Sequence, residues 1–207
     1  MGRWIFQKRY WLENYRKKMR VISGKFKNKK LFFPKNFRTR PLKDSVKENI
    51  FNILEHSNKI NIKFNESVIL DLYSGSGSFG LEFLSRYKSE VYFVENNKDA
   101  IKSLEKNIQN LSLNNRVNLY EQDVFDFFKK LNSKKKFDII FLDPPFADYK
   151  YKDVIKIIIE KKILNKNHLV VIHREKSALD SNIHDDLDII ENRVYGRSNI
   201  FFCKFLS

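Results

Sequence analysis

The thirteen-residue stretch VILDLYSGSGSFG, residues 68–80, indicates the fold of this chain. Its first five residues are apolar except for Asp71, which is typical of a strand buried on both faces of a sheet. Gly75 and Gly77 then permit a tight strand-to-helix turn, in which a ligand can lie against bare backbone. Because the spacing Gly-x-Gly-x-x-Gly also occurs in NAD and FAD sites, the glycines alone leave the ligand open.

Acidic residues narrow the choice of ligand. Asp71 lies four residues before the first glycine, where its carboxylate would repel the pyrophosphate of a dinucleotide and attract a cation such as the amino group of S-adenosylmethionine. Glu95 comes twenty residues after Gly75, at the end of the next predicted strand, and suits the two hydroxyls of a ribose. The alternative interpretation is that Asp71 caps a turn and that the glycines serve only packing.

Asp123, which follows the third predicted strand, is a further candidate for contact with this ligand. Its carboxylate is predicted to accept a hydrogen bond from an adenine amino group, with the N–H of Val124 next to it in sequence. Aspartate is also a preferred N-cap residue, and a helix is predicted to begin at Val124. The two roles are compatible, so both stay open.

The tetrapeptide Asp143-Pro144-Pro145-Phe146 follows the fourth predicted strand. Consecutive prolines cannot continue a sheet and hold the backbone extended, so their carbonyls can point outward. Asp143 and the Pro144 carbonyl then offer two acceptors for an exocyclic NH₂ group, and Phe146 offers a ring for base stacking worth about 1–3 kcal/mol. Such a site acts by positioning and electrostatics, without a covalent enzyme intermediate. The alternative is a Pro-Pro turn that merely ends the strand.

Strands and helices alternate outside these motifs. The sequence predicts strands at 68–72, 91–95, 117–120, 137–142, 169–173, 187–194 and 200–206. It predicts helices at 45–56, 79–86, about 101–111, 124–131 and 153–162, the first of them beginning with a capping box at Ser45–Glu48. The pattern predicts an α/β, Rossmann-like doubly wound domain with a mainly parallel seven-stranded sheet, an antiparallel C-terminal hairpin and a small basic N-terminal appendage.

The positive charge of the chain is concentrated near its N-terminus. The net charge is +15, but residues 1–43 hold 15 Lys and Arg against a single acid, so residues 44–207 contribute only +1. Such asymmetry indicates a polyanionic partner, because neutralising phosphates releases condensed counterions. An anionic membrane surface is the competing partner.

Several classes of protein are not expected from the composition. The chain has one cysteine and four scattered histidines, so neither an internal disulfide nor a zinc-ligand spacing is present in the sequence. It also lacks an uninterrupted apolar run of about 18 residues. We therefore expect no metal, no membrane partner and a cytoplasmic location.

The motifs together resemble the class I S-adenosylmethionine-dependent methyltransferases, in the branch that methylates amino nitrogens. That branch includes adenine-N6 DNA, guanine-N2 RNA and glutamine-N5 protein enzymes, which the Asp-Pro-Pro-Phe motif does not separate. Four further segments resemble the RsmD family, bacterial enzymes that methylate the N2 of one guanine in 16S ribosomal RNA. These segments are RVISG at 20–24 with the basic stretch that ends at Lys30-Leu31, TRP at 39–41, DSVKENIFNIL at 44–54 and ENRVYG at 191–196.

Three positions depart from the RsmD pattern. Leu42 stands where that family commonly has threonine, and Ser45 and Lys47 stand where it commonly has arginine. Lysine keeps the charge but lacks the bidentate fork of arginine, and serine lacks both. These departures change the RNA contacts that the resemblance implies, without touching the methyl-transfer motifs.

The resemblance implies methyl transfer to the N2 amine of a guanine in 16S rRNA, within a small-subunit assembly intermediate. S-adenosylmethionine would be bound by Asp71, Gly75, Gly77, Glu95, Asp123 and Val124. The guanine would be held and oriented by Asp143, Pro144 and Phe146. The RNA backbone would be contacted by Arg20, Lys25, Lys27, Lys29, Lys30, Arg38 and Arg40. We expect a monomer with a basic extension at 1–18, a basic arm or hairpin at 19–43 and a class I methyltransferase domain at 44–207.

Three competing functions remain open on the sequence. An adenine-N6 DNA methyltransferase would share the motifs, although the chain lacks an obvious target-recognition domain for reading duplex DNA. A catalytically silent nucleic-acid-binding protein on a Rossmann-like scaffold would not need Asp143 to Phe146. A dinucleotide oxidoreductase would fit the glycines but would conflict with Asp71.

Overall fold

The computed structural model describes residues 19–34, 42–132, 134–145, 148–176 and 187–205. Within these ranges the helices are α1 Asp44–His56, α2 Ser78–Arg86, α3 Lys98–Asn110, a 3₁₀ turn at Asn114–Arg116, α4 Val124–Lys130 and α5 Tyr151–Lys161. The strands are β1 Val68–Leu72, β2 Glu90–Glu95, β3 Val117–Glu121, β4 Phe137–Leu142, β5 Leu164–Glu175, β6 Leu187–Tyr195 and β7 Ser198–Phe205. No helix in these ranges is long and apolar enough to cross a bilayer.

The strands described form one seven-stranded sheet in the order β3-β2-β1-β4-β5-β7-β6. Strands β1 to β5 pair in parallel, whereas β7 pairs antiparallel with both β5 and β6. The predicted mainly parallel sheet with an antiparallel C-terminal hairpin is therefore confirmed. Because β1 lies between β2 and β4, the strand order reverses there, and open α/β sheets bind their ligands in a crevice at the carboxyl ends of such strands, here β1 and β4.

Two apolar layers cover the sheet, because side chains alternate between the faces of each strand. On one face Phe93 and Phe141 pack with α1, α2 and α3, and the rings of Phe79 and Phe141 stack at a centroid distance of 4.0 Å. On the other face Leu70 and Ile140 pack with α4 and α5. The crevice therefore lies at the edge of a core that is closed on both sides.

Some element boundaries differ from the prediction. Helix α1 begins at Asp44, and its N-cap residue, Lys43, makes no side-chain capping bond in the described structure. The predicted capping box is therefore wrong, since Ser45 lies inside the first turn, where the Asp44 carboxylate is 3.8 Å from the Lys47 amine. Strand β5 is longer than predicted because it continues past a register shift and pairs Leu164 with Phe137.

The N-terminal arm, residues 19–34, is a turn closed by a single antiparallel bridge between Arg20 and Lys30. It lies directly on the C-terminal half of α2. Gly24 has a φ of +79°, and a Cβ at this position would be 2.1 Å from the Ser85 carbonyl oxygen. The Lys25 N–H donates to the same oxygen at 2.7 Å. Only glycine fits this contact between the two backbones.

Glu82 of α2 holds the other side of the arm. Its buried carboxylate accepts the N–H groups of Ile22 at 2.7 Å and Ser23 at 2.9 Å. The same carboxylate pairs with Arg86 at 2.9 Å and lies 3.6 Å from the amine of Lys47. The arm is therefore fixed to the body through one buried anion.

Lys47 has a structural role in this network. Its side chain is fully buried, and its amine donates to the Arg20 carbonyl at 2.9 Å and to the Ser78 hydroxyl at 3.2 Å. Burial lowers the pKa of Lys47, and the charge of Glu82 opposes that shift. A side chain in this position contacts the arm and α2 and does not present its charge at the surface.

Replacing Glu82 by alanine is expected to lower the free energy of unfolding by about 3–5 kcal/mol, because Lys47 stays buried while the arm N–H groups lose their acceptor. Urea unfolding followed by circular dichroism measures this change. Glu105→Ala, at an exposed position of α3, is the matched control and is expected to leave stability unchanged. Equal stabilities of the two variants would contradict the role of Glu82.

Candidate active site

The predicted site residues around Asp71 and Asp143 come from neighbouring strands. Asp71 lies in β1, opposite Phe141 of β4, and Asp143 is the first residue after β4. The Asp143 N–H points at the Leu72 carbonyl at 3.4 Å, which continues the pairing of β1 with β4. Both carboxylates therefore lie at the same end of the sheet, beside the crevice.

Asp71 is 1% exposed and has one oxygen in use. Its Oδ2 accepts the Gly80 N–H at 3.0 Å, whereas Oδ1 has no hydrogen-bond partner among the described residues. Burial raises the pKa of this carboxyl well above its ordinary value. The nearby charges of Asp143 and Glu95 add to the shift. A buried acid with an unused acceptor and two anionic neighbours is suited to a cationic ligand.

The glycine-rich turn combines an open residue with a packed one. Gly75 has a φ of +58°, and a Cβ placed on it would meet nothing within 4 Å, so the space beside it is free for a ligand. Gly77 has a φ of +80°, and a Cβ there would be 2.4 Å from Leu104 of α3. Gly75 thus provides room, and Gly77 permits close packing between helices.

Glu95 at the end of β2 holds the turn in place. Its Oε2 accepts the Gly75 N–H at 2.7 Å, and its Oε1 accepts those of Asn96 at 3.0 Å and Asn97 at 2.8 Å. This structural role is additional to the ribose contact that the sequence suggests. The three donors fix the carboxylate at the crevice edge.

Asp123 is the N-cap of α4, as the structural interpretation predicted. Its Oδ1 accepts the Phe125 N–H at 2.8 Å, and its Oδ2 lies 3.3 Å from the side-chain amide of Asn96. Val124, the first residue of α4, is buried. No sequence motif indicated this contact with Asn96. It joins the ends of β2 and β3 at the place where Asp123 is predicted to contact adenine.

The Asp-Pro-Pro segment leaves β4 at the crevice. Asp143 has a side chain 23% exposed, and its Oδ1 lies 2.7 Å from His173 Nδ1. Pro144 is buried, and the exposed Pro145 accepts a hydrogen bond from Arg174 through its carbonyl, at 3.2 Å. The sequence analysis missed both β5 residues. Phe146 lies outside the described residues.

The basic arm reaches the glycine-rich turn. The five predicted RNA-binding residues that are described are all exposed: Arg20, Lys25, Lys27, Lys29 and Lys30. Arg38 and Arg40 lie outside the described residues. The Asn107 side chain accepts the Phe32 N–H at 2.6 Å and donates to the carbonyls of Phe32 and Ser76, each at 3.0 Å. The described end of the arm is therefore next to the turn beside the crevice.

Residues 19–204 match the family described as Conserved hypothetical protein 95. The chain belongs to this family. Ribosomal RNA small subunit methyltransferase D of Buchnera aphidicola subsp. Baizongia pistaciae is 35% identical over 159 residues, 77% of each chain. The protein of that name from Haemophilus influenzae is 34% identical over 164 residues, 79% of this chain and 82% of its own. The resemblance to RsmD enzymes is thus confirmed.

The fold is shared with a solved relative. Protein HI0767 of Haemophilus influenzae superposes with a TM-score of 0.71 at 29% identity, over 91% of this chain and 99% of the other. The predicted Rossmann-like methyltransferase fold is therefore confirmed, and the methyltransferase family of the chain supports S-adenosylmethionine as its cofactor. The unused oxygen of Asp71 suits its amino group, and the space beside Gly75 leaves room for a ligand against the backbone. Among the described residues, no cluster of three or more acidic, His or Cys side chains is arranged to hold a metal.

Replacing Asp71 by asparagine removes a buried negative charge but keeps an oxygen for the Gly80 N–H. We expect the affinity for S-adenosylmethionine to fall by about tenfold or more, because the ligand ammonium loses a charged partner. Isothermal titration calorimetry measures this loss. An unchanged affinity would contradict the role assigned to Asp71.

The same substitution is expected to stabilise the ligand-free chain. Because the folded-state pKa of Asp71 is raised, its ionised form opposes folding. The stability that the asparagine variant gains is therefore absent at pH values below 3.8, the ordinary pKa of an aspartate carboxyl. It grows as the pH rises from there toward the raised pKa of Asp71. Thermal unfolding at a series of pH values measures this dependence, and a gain that shrank with rising pH would contradict it.

Proposed function

We propose that this methyltransferase transfers a methyl group from S-adenosylmethionine to the exocyclic N2 amine of a guanine in 16S rRNA. The observation that supports it most is the placement of Asp71 in β1 and of Asp143 directly after the paired strand β4. The first carboxylate suits the cationic methyl donor, and the second suits the substrate amine. The names of the relatives support ribosomal RNA of the small subunit as the substrate.

Each carboxylate in the crevice has a separate task in this proposal. The Oδ1 of Asp71 binds the amino group of the cofactor, and the edge formed by Glu95 and Asp123 binds its ribose and adenine. Bound S-adenosylmethionine supplies a methyl group on a sulfonium sulfur. The side chain of Asp143 and the Pro144 carbonyl accept the two N–H groups of the substrate amine.

These two acceptors favour a pyramidal amine. An aniline-like nitrogen is a poor nucleophile, since its lone pair is delocalised into the ring. Holding both N–H groups directs the lone pair of the nitrogen at the methyl carbon. A nitrogen–carbon bond forms as the carbon–sulfur bond breaks, and the nitrogen then loses one proton, for which the Asp143 carboxylate is the nearest acceptor in the proposal.

The target guanine has to leave its stack to reach this crevice, because its N2 lies at the minor-groove edge of a pair. Phe146 is proposed to stack on the base. The basic arm is proposed to contact the RNA backbone, together with Arg38 and Arg40, and the fixed attachment of residues 19–34 to α2 limits the entropy that the arm loses on binding. We further propose that a monomer acts in the cytoplasm on a subunit assembly intermediate.

Methyl transfer tests this proposal directly. Labelled S-adenosylmethionine is incubated with undermethylated small ribosomal subunits, naked 16S rRNA or duplex DNA, and the product nucleosides are identified by mass spectrometry. We expect N2-methylguanosine from the ribosomal substrates, lowered about hundredfold or more by Asp143→Ala. Asp153→Ala, an exposed position on α5, is the control that should keep activity. N6-methyladenine in DNA, or no RNA product despite cofactor binding, would overturn the proposal.

A double reversal, Lys29→Glu with Lys30→Glu, tests the arm. We expect it to raise the KM for the ribosomal substrate and to reduce the salt dependence of RNA binding by about one unit of slope per lost contact. The affinity for S-adenosylmethionine should not change. Lys156→Glu with Lys166→Glu alters the net charge equally at other exposed positions. Equal effects of the two double variants would show that only the overall charge matters.

A further inference from the structure

The end of strand β5 contains a histidine that none of the sequence motifs includes. His173 is 4% exposed. Its Nδ1 lies 2.7 Å from Asp143 Oδ1, and its Nε2 lies 2.9 Å from Ser198 Oγ. The imidazole thus joins the carboxylate at the crevice to the first residue of β7.

The strand register explains this contact. Leu142 pairs with Ile172 in the parallel β4–β5 ladder, so the residues that follow them, Asp143 and His173, are neighbours at the carboxyl edge of the sheet. In the antiparallel ladder Ser198 lies opposite Glu175. Because Glu175 is two residues beyond His173, the side chains of Glu175 and His173 lie on the same face of β5. The ends of three strands therefore meet at this imidazole.

The next residue, Arg174, holds the other end of the Asp-Pro-Pro segment. Its fully buried guanidinium donates to the Pro145 carbonyl at 3.2 Å and lies 4.2 Å from the centre of the Tyr151 ring. Consecutive strand residues point to opposite faces of a sheet. His173 and Arg174 therefore hold the Asp143 side chain and the Pro145 carbonyl from two sides.

We propose that His173 is a positioning residue for methyl transfer, which fixes the Asp143 carboxylate so that its second oxygen is directed at the substrate amine. The inference rests on the proposed function. An ionised carboxylate can only accept hydrogen bonds, so Nδ1 carries the proton in this pair. Nε2 then accepts the Ser198 hydroxyl proton, and the two bonds together fix the orientation of the ring.

The physical effect is a restriction of the Asp143 carboxylate. Without a donor on Oδ1 the carboxylate can rotate, and the substrate amine meets an acceptor that is correctly aimed only part of the time. Small errors in the placement of a reacting group are costly, because the lone pair of the nitrogen must align with the methyl carbon. The bond from His173 is charge-assisted and mostly shielded from water, so it is strong enough to hold that alignment.

The order Asp–His–Ser also occurs in serine hydrolases, where the histidine removes the serine proton. Ser198 directly follows the Gly196-Arg197 hairpin turn and pairs within the ladder with Tyr195 and Glu175. A hydrolase nucleophile instead lies on a strand-to-helix turn beside N–H groups that bind an oxyanion. Of the three side chains Asp143, His173 and Ser198, it is Asp143 that lies at the crevice. This placement favours a positioning role for His173.

Two substitutions separate the two bonds of the imidazole. An asparagine amide reaches about as far as Nδ1, and a glutamine amide about as far as Nε2. In the methyl-transfer assay with small ribosomal subunits, His173→Asn is expected to keep kcat within about threefold, whereas His173→Gln is expected to lower it by about tenfold or more. The KM for S-adenosylmethionine should stay unchanged in both variants, and Ser198→Ala should give a smaller loss of kcat.

His168 provides the matched control. It lies on the same strand, and its two ring nitrogens also have partners, the Asn165 carbonyl at 2.9 Å and the Phe205 N–H at 3.1 Å. His168→Asn and His168→Gln are expected to leave kcat unchanged. If the two His173 variants lose activity equally, or keep it equally, while the unaltered chain is active, the positioning role is wrong and the proposed function stands. If the unaltered chain methylates no RNA, both fail.

Two further readouts do not depend on methyl transfer. Nitrogen-15 NMR of the histidine rings is expected to show a proton on Nδ1 of His173 in the unaltered chain and on Nε2 in Asp143→Ala. An Nε2 proton in the unaltered chain would overturn the proposal. Hydrolysis of p-nitrophenyl acetate that disappears in Ser198→Ala would also overturn it, since the serine would then be a nucleophile.

Discussion

The parallel pairing of β1 with β4 is the constraint on which the site depends. Leu72 and Leu142 are partners in this ladder, so two segments about 70 residues apart in the chain end at the same edge of the sheet. The glycine-rich turn leaves one strand and the Asp-Pro-Pro segment leaves the other. Because the strand order reverses between them, the helix that follows β1 and the helix that follows β4 pack on opposite faces of the sheet, and donor and acceptor groups can meet between the two strand ends.

The electrostatics of this edge follow from that pairing. Asp71 is buried near the charges of Glu95 and Asp143, which raise its pKa further above the value that burial alone would give. Such an arrangement opposes folding of the ligand-free chain and favours a cationic ligand, so stability and binding are coupled at one carboxylate. The oxygens of Glu95, in contrast to Oδ1 of Asp71, are satisfied by three backbone N–H groups.

The sequence predicts the parts of this molecule that depend on local patterns. The apolar runs at β1 and β4, the glycine turn and Asp143 are all recognisable from adjacent residues. His173 is not, because its partners are set by the β4–β5 and β5–β7 registers. In the sequence Lys47 is only one basic residue of the RsmD-like segment 44–54, but the carboxylate of Glu82, 35 positions later, lies 3.6 Å from its amine inside the protein. Roles that arise from contacts between distant segments need the tertiary structure.

The position of the bound cofactor shows directly whether the crevice between β1 and β4 brings the methyl donor to Asp143. A crystal structure of the chain with S-adenosylhomocysteine gives this position. We expect the ligand amino nitrogen within about 3.2 Å of Asp71 Oδ1 and the ligand sulfur on the side that faces Asp143. A ligand whose amino group bound elsewhere, with Asp71 Oδ1 still unpaired and Asp143 remote from the sulfur, would contradict it.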